Sequence, residues 1–214
     1  MTSPRLIKGG LVQVDVKSGR TLRTIALQYN PDSLSRSMQV QAAGESGGDR
    51  SQALRIKGAA AETIKVEAEI DATDRLEHPD QNRTAAEVGI HPELAALELL
   101  VQPTSDALQG NDSIARGGTL EVLAIETPLL LFVWGPNRVV PVRITDLSIT
   151  EDAFDAQLNP IRATVSLGMR VLTVDDLGFD HRGGQLFMAH LRSREALARK
   201  AASAPSSALG VKEF

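Results

Sequence analysis

Thr63-Ile64-Lys65-Val66-Glu67-Ala68-Glu69-Ile70-Asp71 decides the fold class. Ile64, Val66, Ala68 and Ile70 share one face, and Lys65, Glu67 and Glu69 share the other. Side chains of an extended backbone point alternately to opposite faces, so this pattern predicts an antiparallel strand with one face on a core and one on water or a partner. The same period of two runs outward in both directions. Val12, Val14 and Val16 alternate with polar residues, as do Ile25, Leu27 and Tyr29. Leu34, Met38 and Val40 follow the rule, with Arg36 breaking the apolar set. Residues 128–134 form a continuous apolar strand closed by the turn signal Gly135-Pro136-Asn137. Val140, Val142 and Ile144 then alternate in one phase and Leu147 and Ile149 in the other, which predicts a β-bulge or bend between Ile144 and Leu147. Ile161, Ala163, Val165, Leu167, Met169 and Val171 give one unbroken face, a strand longer than the usual ~5–6 residues.

Between the two sets of strands, Pro92, Glu93, Leu94, Leu97, Glu98 and Val101 space as a core-packing helix that Pro103 stops. Residues 104–118, rich in Ser, Gly, Asp and Asn, read as a long loop. A second, basic helix is expected over residues 185–200, with a narrow stripe of Leu186, Phe187, His190, Leu191, Arg194 and Leu197, followed by a mobile tail over 201–214. The chain is therefore expected to be mainly β, α+β: a β-sandwich or barrel with one flanking helix and a C-terminal helical extension. Two regions are expected, a β domain over residues 1–175 and a linker, helix and tail over 176–214.

Composition narrows the function. The 214 residues suit a single core, since a chain of ~150 residues already buries roughly 70% of its surface. Lys plus Arg is 23 against 27 Asp plus Glu, a net charge of -4, which lacks the positive field of a nucleic-acid binder. With no cysteine, disulfides, thiolate metal sites and cysteine nucleophiles are excluded. One Trp, one Tyr and five Phe are too few for a base-stacking platform. The N-terminus has no apolar h-region, and no apolar run approaches the ~18 residues of a membrane span, so synthesis and assembly in the cytoplasm are expected, without direct membrane binding.

Chemistry-bearing patterns are weak. Gly44-Glu45-Ser46-Gly47-Gly48 has the letters of a nucleophile elbow, but no amphipathic helix follows it, and a serine hydrolase using Ser46 stays as the alternative reading. Asp74, Glu77, His78 and Asp80, and Asp175, Asp176, Asp180 and His181, lack metal-ligand spacing and read as solvated charge. The glycine pairs lack the phosphate-loop spacings. No cofactor, metal site or catalytic residue is expected, and the chain is read as no enzyme.

Three stretches in order carry a resemblance. Residues 24–37, with Tyr29-Asn30-Pro31 at their centre, are similar to the hydrophobic-x-F/Y-N-P-x-x-hydrophobic-x-x-S opening of the tube-like baseplate proteins of contractile injection systems. Residues 128–135, ending in Trp134-Gly135, resemble that family's P-x-hydrophobic-x-F-x-W-G strand, and residues 142–150 with 160–173 resemble its long hairpin. The resemblance implies a phage-tail-tube-like fold, with Tyr29, Asn30, Pro31, Trp134 and Gly135 as structural signature residues. It implies a structural subunit at the tube–baseplate junction of a phage-tail-like particle, initiating the inner tube or adapting it to the spike. Its partners would be copies of itself in a hexameric ring, the inner tube protein, and spike, hub and baseplate proteins, in a particle either released or membrane-anchored. Many relatives carry a LysM module after the tube domain; no such pattern follows Thr173 here. An assembly adaptor or chaperone of a related phage tail is the other alternative.

Overall fold

The computed structural model describes residues 6–42, 54–116, 124–204 and 208. Seven strands form one antiparallel sheet: β1 (Gly10–Val14), β2 (Thr21–Ala26), β3 (Leu34–Gln39), β4 (Ala61–Asp71), β5 (Leu129–Val133), β6 (Val139–Phe154) and β7 (Pro160–Val171). Their order across the sheet is β2-β1-β5-β6-β7-β4-β3, so β2 and β3 are its two edges. The sheet does not lie open. Gln28, just past β2, hydrogen-bonds the backbone of Asp71 at the end of β4, which brings the two sides of the sheet together as an incompletely closed barrel.

The alternation in β4 and β7 sets the core. Ile64, Val66, Ala68 and Ile70 of β4 and Ala163, Val165, Leu167, Met169 and Val171 of β7 are all buried, in the phase their spacing predicts. Each such Val, Ile, Leu or Met contributes roughly 1.5–3 kcal/mol when taken out of water. Both faces of β5 are covered, which explains its uninterrupted apolar run. Leu130 and Phe132 enter the main core, while Leu129 and Leu131 join Val14 in a smaller cluster against Leu177 and Leu186.

The phase flip in β6 is a bulge. Ile144 pairs with Met169 and Asp146 with Gly168, leaving Thr145 as the extra residue. A Cβ at Gly168 would lie 3.1 Å from the Asp146 Cβ and 3.4 Å from the Thr145 hydroxyl, so the missing side chain leaves the room the bulge occupies.

The segment between β4 and β5 corrects the sequence reading. It holds α1 (Thr73–Leu76), α2 (Arg83–Val88), α3 (His91–Glu98) and α4 (Ser105–Arg116), where a single helix and a long loop were expected. α3 is the expected helix: it begins beside Pro92 and places Leu94 and Leu97 in the core. α1 and α2 are too short to show a helical period. The described part of residues 104–118 is helical for local reasons. The Thr104 hydroxyl accepts from the Ala107 N–H, Asp106 sits at the positive end, and Arg116 pairs with Asp112 one turn back at 2.8 Å. No residue of α4 is buried, so burial, the signal used to separate helix from loop, is missing there.

After β7 come α5 (Val174–Leu177) and α6 (Arg182–Ala198). Thr173 caps α5 through a reciprocal capping box with Asp176. Phe187 of α6 enters the main core and His190 is buried with it. Of the tail over 201–214, residues 205–207 and 209–214 lie outside the described residues.

Candidate assembly surface

Two of the signature residues, Asn30 and Trp134, meet around one short segment. Asn30 accepts the Gly9 N–H at 2.9 Å through Oδ1 and donates through Nδ2 to the Ile7 carbonyl at 2.8 Å. On the other side, Trp134 stacks on Phe132 with ring centroids 5.8 Å apart, and its ring lies where a Cβ on Gly9 would fall. Residues 7–9 thus run between Asn30 and Trp134, which lie far apart in sequence. Gly135 has φ +73°, the left-handed conformation that glycine adopts without strain, and opens the turn whose end is tied by the Trp134 N–H to the Arg138 carbonyl at 2.7 Å. Tyr29 is half exposed, its hydroxyl accepting from Gln28 at 3.2 Å, and Pro31 carries no hydrogen bond beyond its place in the turn.

Gln28 lies inside the same motif, but no pattern of residue types singles it out. Its Nε2 donates to the Asp71 carbonyl at 2.6 Å and its Oε1 accepts the Asp71 N–H at 3.0 Å. One side-chain amide therefore satisfies both backbone groups that a further strand would have satisfied. β3 pairs β4 only as far as Val66, so residues 67–70 of β4, between Val66 and the Asp71 that Gln28 covers, have no strand beside them on that side among the described residues. The outer edge of β2 is also unpaired among the described residues. A groove of about 380 Å³, floored by Ile25, Leu27, Ala68, Ile70 and Leu97, lies between these edges.

A third free edge is longer. β5 pairs β6 only over Val139–Val142, so residues 143–154 of β6 have no strand beside them on that side among the described residues. Unpaired N–H and C=O groups in a row are a template for strand pairing with another chain.

Two charge clusters complete the surface. Arg36, the residue that broke the apolar set in β3, points to the same face as Ile64 and meets Glu62, which is 6% exposed. Arg36 Nε donates to Glu62 Oε1 at 2.6 Å, and Arg194 Nη1 of α6 donates to Oε2 at 3.0 Å. Arg138 and His190 face the same group. Burial, then Arg36 and Arg194, pull the Arg138 guanidinium below its usual value, with Glu62 opposing. Burial and Arg194 likewise hold His190 below 6.5, so its imidazole is neutral at neutral pH. At the far end of β4, Arg162 meets Asp71 at 2.8 Å and Glu69 at 3.7 Å, with Asp152 also nearby. Burial raises the Asp71 carboxyl, but hydrogen bonds from Thr73 and the pairing with Arg162 outweigh it and hold it below 3.8.

The remaining sequence candidates are placed without chemistry. Asp176 is taken up by Thr173 and Arg170, and His181 Nδ1 accepts the Gly183 N–H at the start of α6. Among the described residues no group of three or more His, Cys, Asp or Glu could hold a metal ion, and no helix is long and apolar enough to cross a membrane. Ser46 lies outside the described residues.

A family model described as contractile injection system tube protein matches residues 12–176, spanning β1 through α5. The chain belongs to that family. It is a structural subunit of a contractile injection system tube. No curated protein matches this tube protein. Among solved structures, a chain from the tail of an empty GTA particle, reconstructed by helical refinement with C6 symmetry, is 15% identical. It covers 76% of this tube protein and 90% of its own length, with a TM-score of 0.29. A superposition that loose adds nothing to the assignment, which rests on the family match.

Proposed function

We propose that this tube protein forms a closed ring at the tube–baseplate junction, where it initiates the inner tube or adapts it to the spike. The observation that carries the reading is the set of strand edges left unpaired among the described residues: β2, β3, residues 67–70 of β4 and residues 143–154 of β6. Edges of this length polymerise without limit unless closed symmetry consumes them. The mechanism is assembly by sheet-edge pairing and shape, without turnover. Six copies is the count the family resemblance implies. Asn30 and Trp134 serve it by fixing residues 7–9 beside β2, and Gly135 by opening the turn before β6. Residues 1–175 form the tube-like unit, and residues 176–214, which begin within α5, extend it with α6. The ring's other neighbours in this reading are the inner tube protein and the spike, hub and baseplate proteins.

Electron microscopy of particles carrying a tagged chain tests this. The expected result is label in one ring at the baseplate end, sixfold in end-on averages, with tubes lost when the gene is deleted. Label along the whole tube would refute the junction role while leaving the tube role intact. Normal particles without the chain would refute both.

A further inference from the structure

The two charge clusters lie at opposite ends of the same strands. Glu62 stands near the first residue of β4 and Asp71 at its last, roughly 30 Å apart at ~3.3 Å per residue. β6 repeats the arrangement, with Arg138 immediately before its first residue and Glu151 and Asp152 near its last. At the basic end three guanidiniums face one carboxylate whose two oxygens are already engaged by Arg36 and Arg194. Arg138 has no ion pair among the described residues, and no second carboxylate acts on it there. At the acidic end the inventory is inverted: Glu69, Asp71 and Asp152 surround the single Arg162. Glu151 pairs with Ala163 and so stands on the other face of the sheet at the same end of β6, exposed and without an ion pair among the described residues. Phe154 and Leu158, 48% and 77% exposed, project from the same hairpin tip.

We infer that these clusters bind each other between copies: the Arg36, Arg138 and Arg194 cluster of one subunit receives the Glu151 and Asp152 tip of the next. The inference rests on the reading that the chain assembles with copies of itself. Rings are built from heterologous contacts, which need two different and complementary patches on each subunit. Here one chain carries both halves, at opposite poles. A half-buried guanidinium short of a carboxylate is met by a carboxylate short of a cation, and the guanidinium fork suits that acceptor. The contact would also cover Phe154 and Leu158.

The absence of native cysteine makes the test direct. Particles are assembled in cells expressing Arg138→Cys and Glu151→Cys chains together and treated with a short bismaleimide. The expected result is a cross-linked dimer that appears only when both variants are present. In parallel, Arg138→Glu and Glu151→Lys are each expected to lower incorporation by about tenfold or more, because like charges then face each other, and to restore it when combined. Arg138 has no ion pair to lose among the described residues, so Arg138→Gln, which sets no carboxylate toward Glu62, should melt like the wild type and still lower incorporation. Chain present in particles with no dimer, or a combined variant no better than either single one, overturns the contact and leaves the assembly reading standing. Wild-type chain absent from particles overturns both.

Discussion

At the first end of β4 one carboxylate lies nearly buried among three arginines; at the last end one arginine lies among three carboxylates and stays close to half exposed. The charges are mirror images, but the energetics are not. Glu62 has lost its water and depends on Arg36 and Arg194 to replace it, so its ion pairs hold β3, β4 and α6 together. Arg162 keeps much of its water, and exposed pairs of that kind contribute little to stability. The buried cluster is committed to the fold, apart from Arg138. The exposed one is free for a partner.

The strongest test of that contrast is Glu62→Ala. It leaves Arg36 and Arg194 without their acceptor under α6, and the expected loss is about 3 kcal/mol, at the lower end for a broken buried pair because both arginines reach solvent. Urea denaturation checks it; a loss no larger than that of an exposed pair would erase the distinction.

Next in size is Gln28→Ala, which strands the N–H and C=O of Asp71 beside the acidic end. The expected cost is about 1–2 kcal/mol, with faster hydrogen exchange at the end of β4. Unchanged exchange there would mean that the Gln28 amide does not hold the two sides of the sheet together.

The two ends should also titrate in different windows. The folded pKa of His190 lies below its unfolded value near 6.5, so the unfolded chain binds the proton more readily. The stability that neutral His190 provides is present above that value and is lost as pH falls below it. Asp71 and Asp155, at the acidic end, are depressed below 3.8; their contribution holds above that value and is lost only as pH falls further. Melting temperature followed from pH 7.5 to 3 should fall in two stages, and His190→Gln should remove the first alone.

The smallest effect is expected from Arg162→Ala, a slight drop in melting temperature well short of that for Glu62→Ala, because solvent already screens its pairs. A drop as large as that of Glu62→Ala would show the two ends to be energetically alike.

Much of this fold was legible because strand burial is written in alternate residues. Ile64 to Ile70 and Ala163 to Val171 specify which face is inside, and the Ile144-to-Leu147 phase change locates the bulge to within a residue. α4 was not legible, because its helix is held by a cap and an i,i+4 pair rather than by a buried face. The surface was legible only in part. Asn30 and Trp134 stood out as motif residues, but nothing in their letters says that both grip residues 7–9.

The sequence by itself determined the strands, the inner faces of β4 and β7 and the likeness to a tube protein, since these follow from local period and short motifs; it did not determine the face of β3, where Met38 and Val40 are exposed. Only the tertiary structure decided that Arg36 belongs inside, because its partners Glu62 and Arg194 arrive from another strand and a distant helix. Only it brought Gln28 to Asp71 and put the two charge clusters at opposite poles, because antiparallel register is what gathers scattered charges at one end of a sheet.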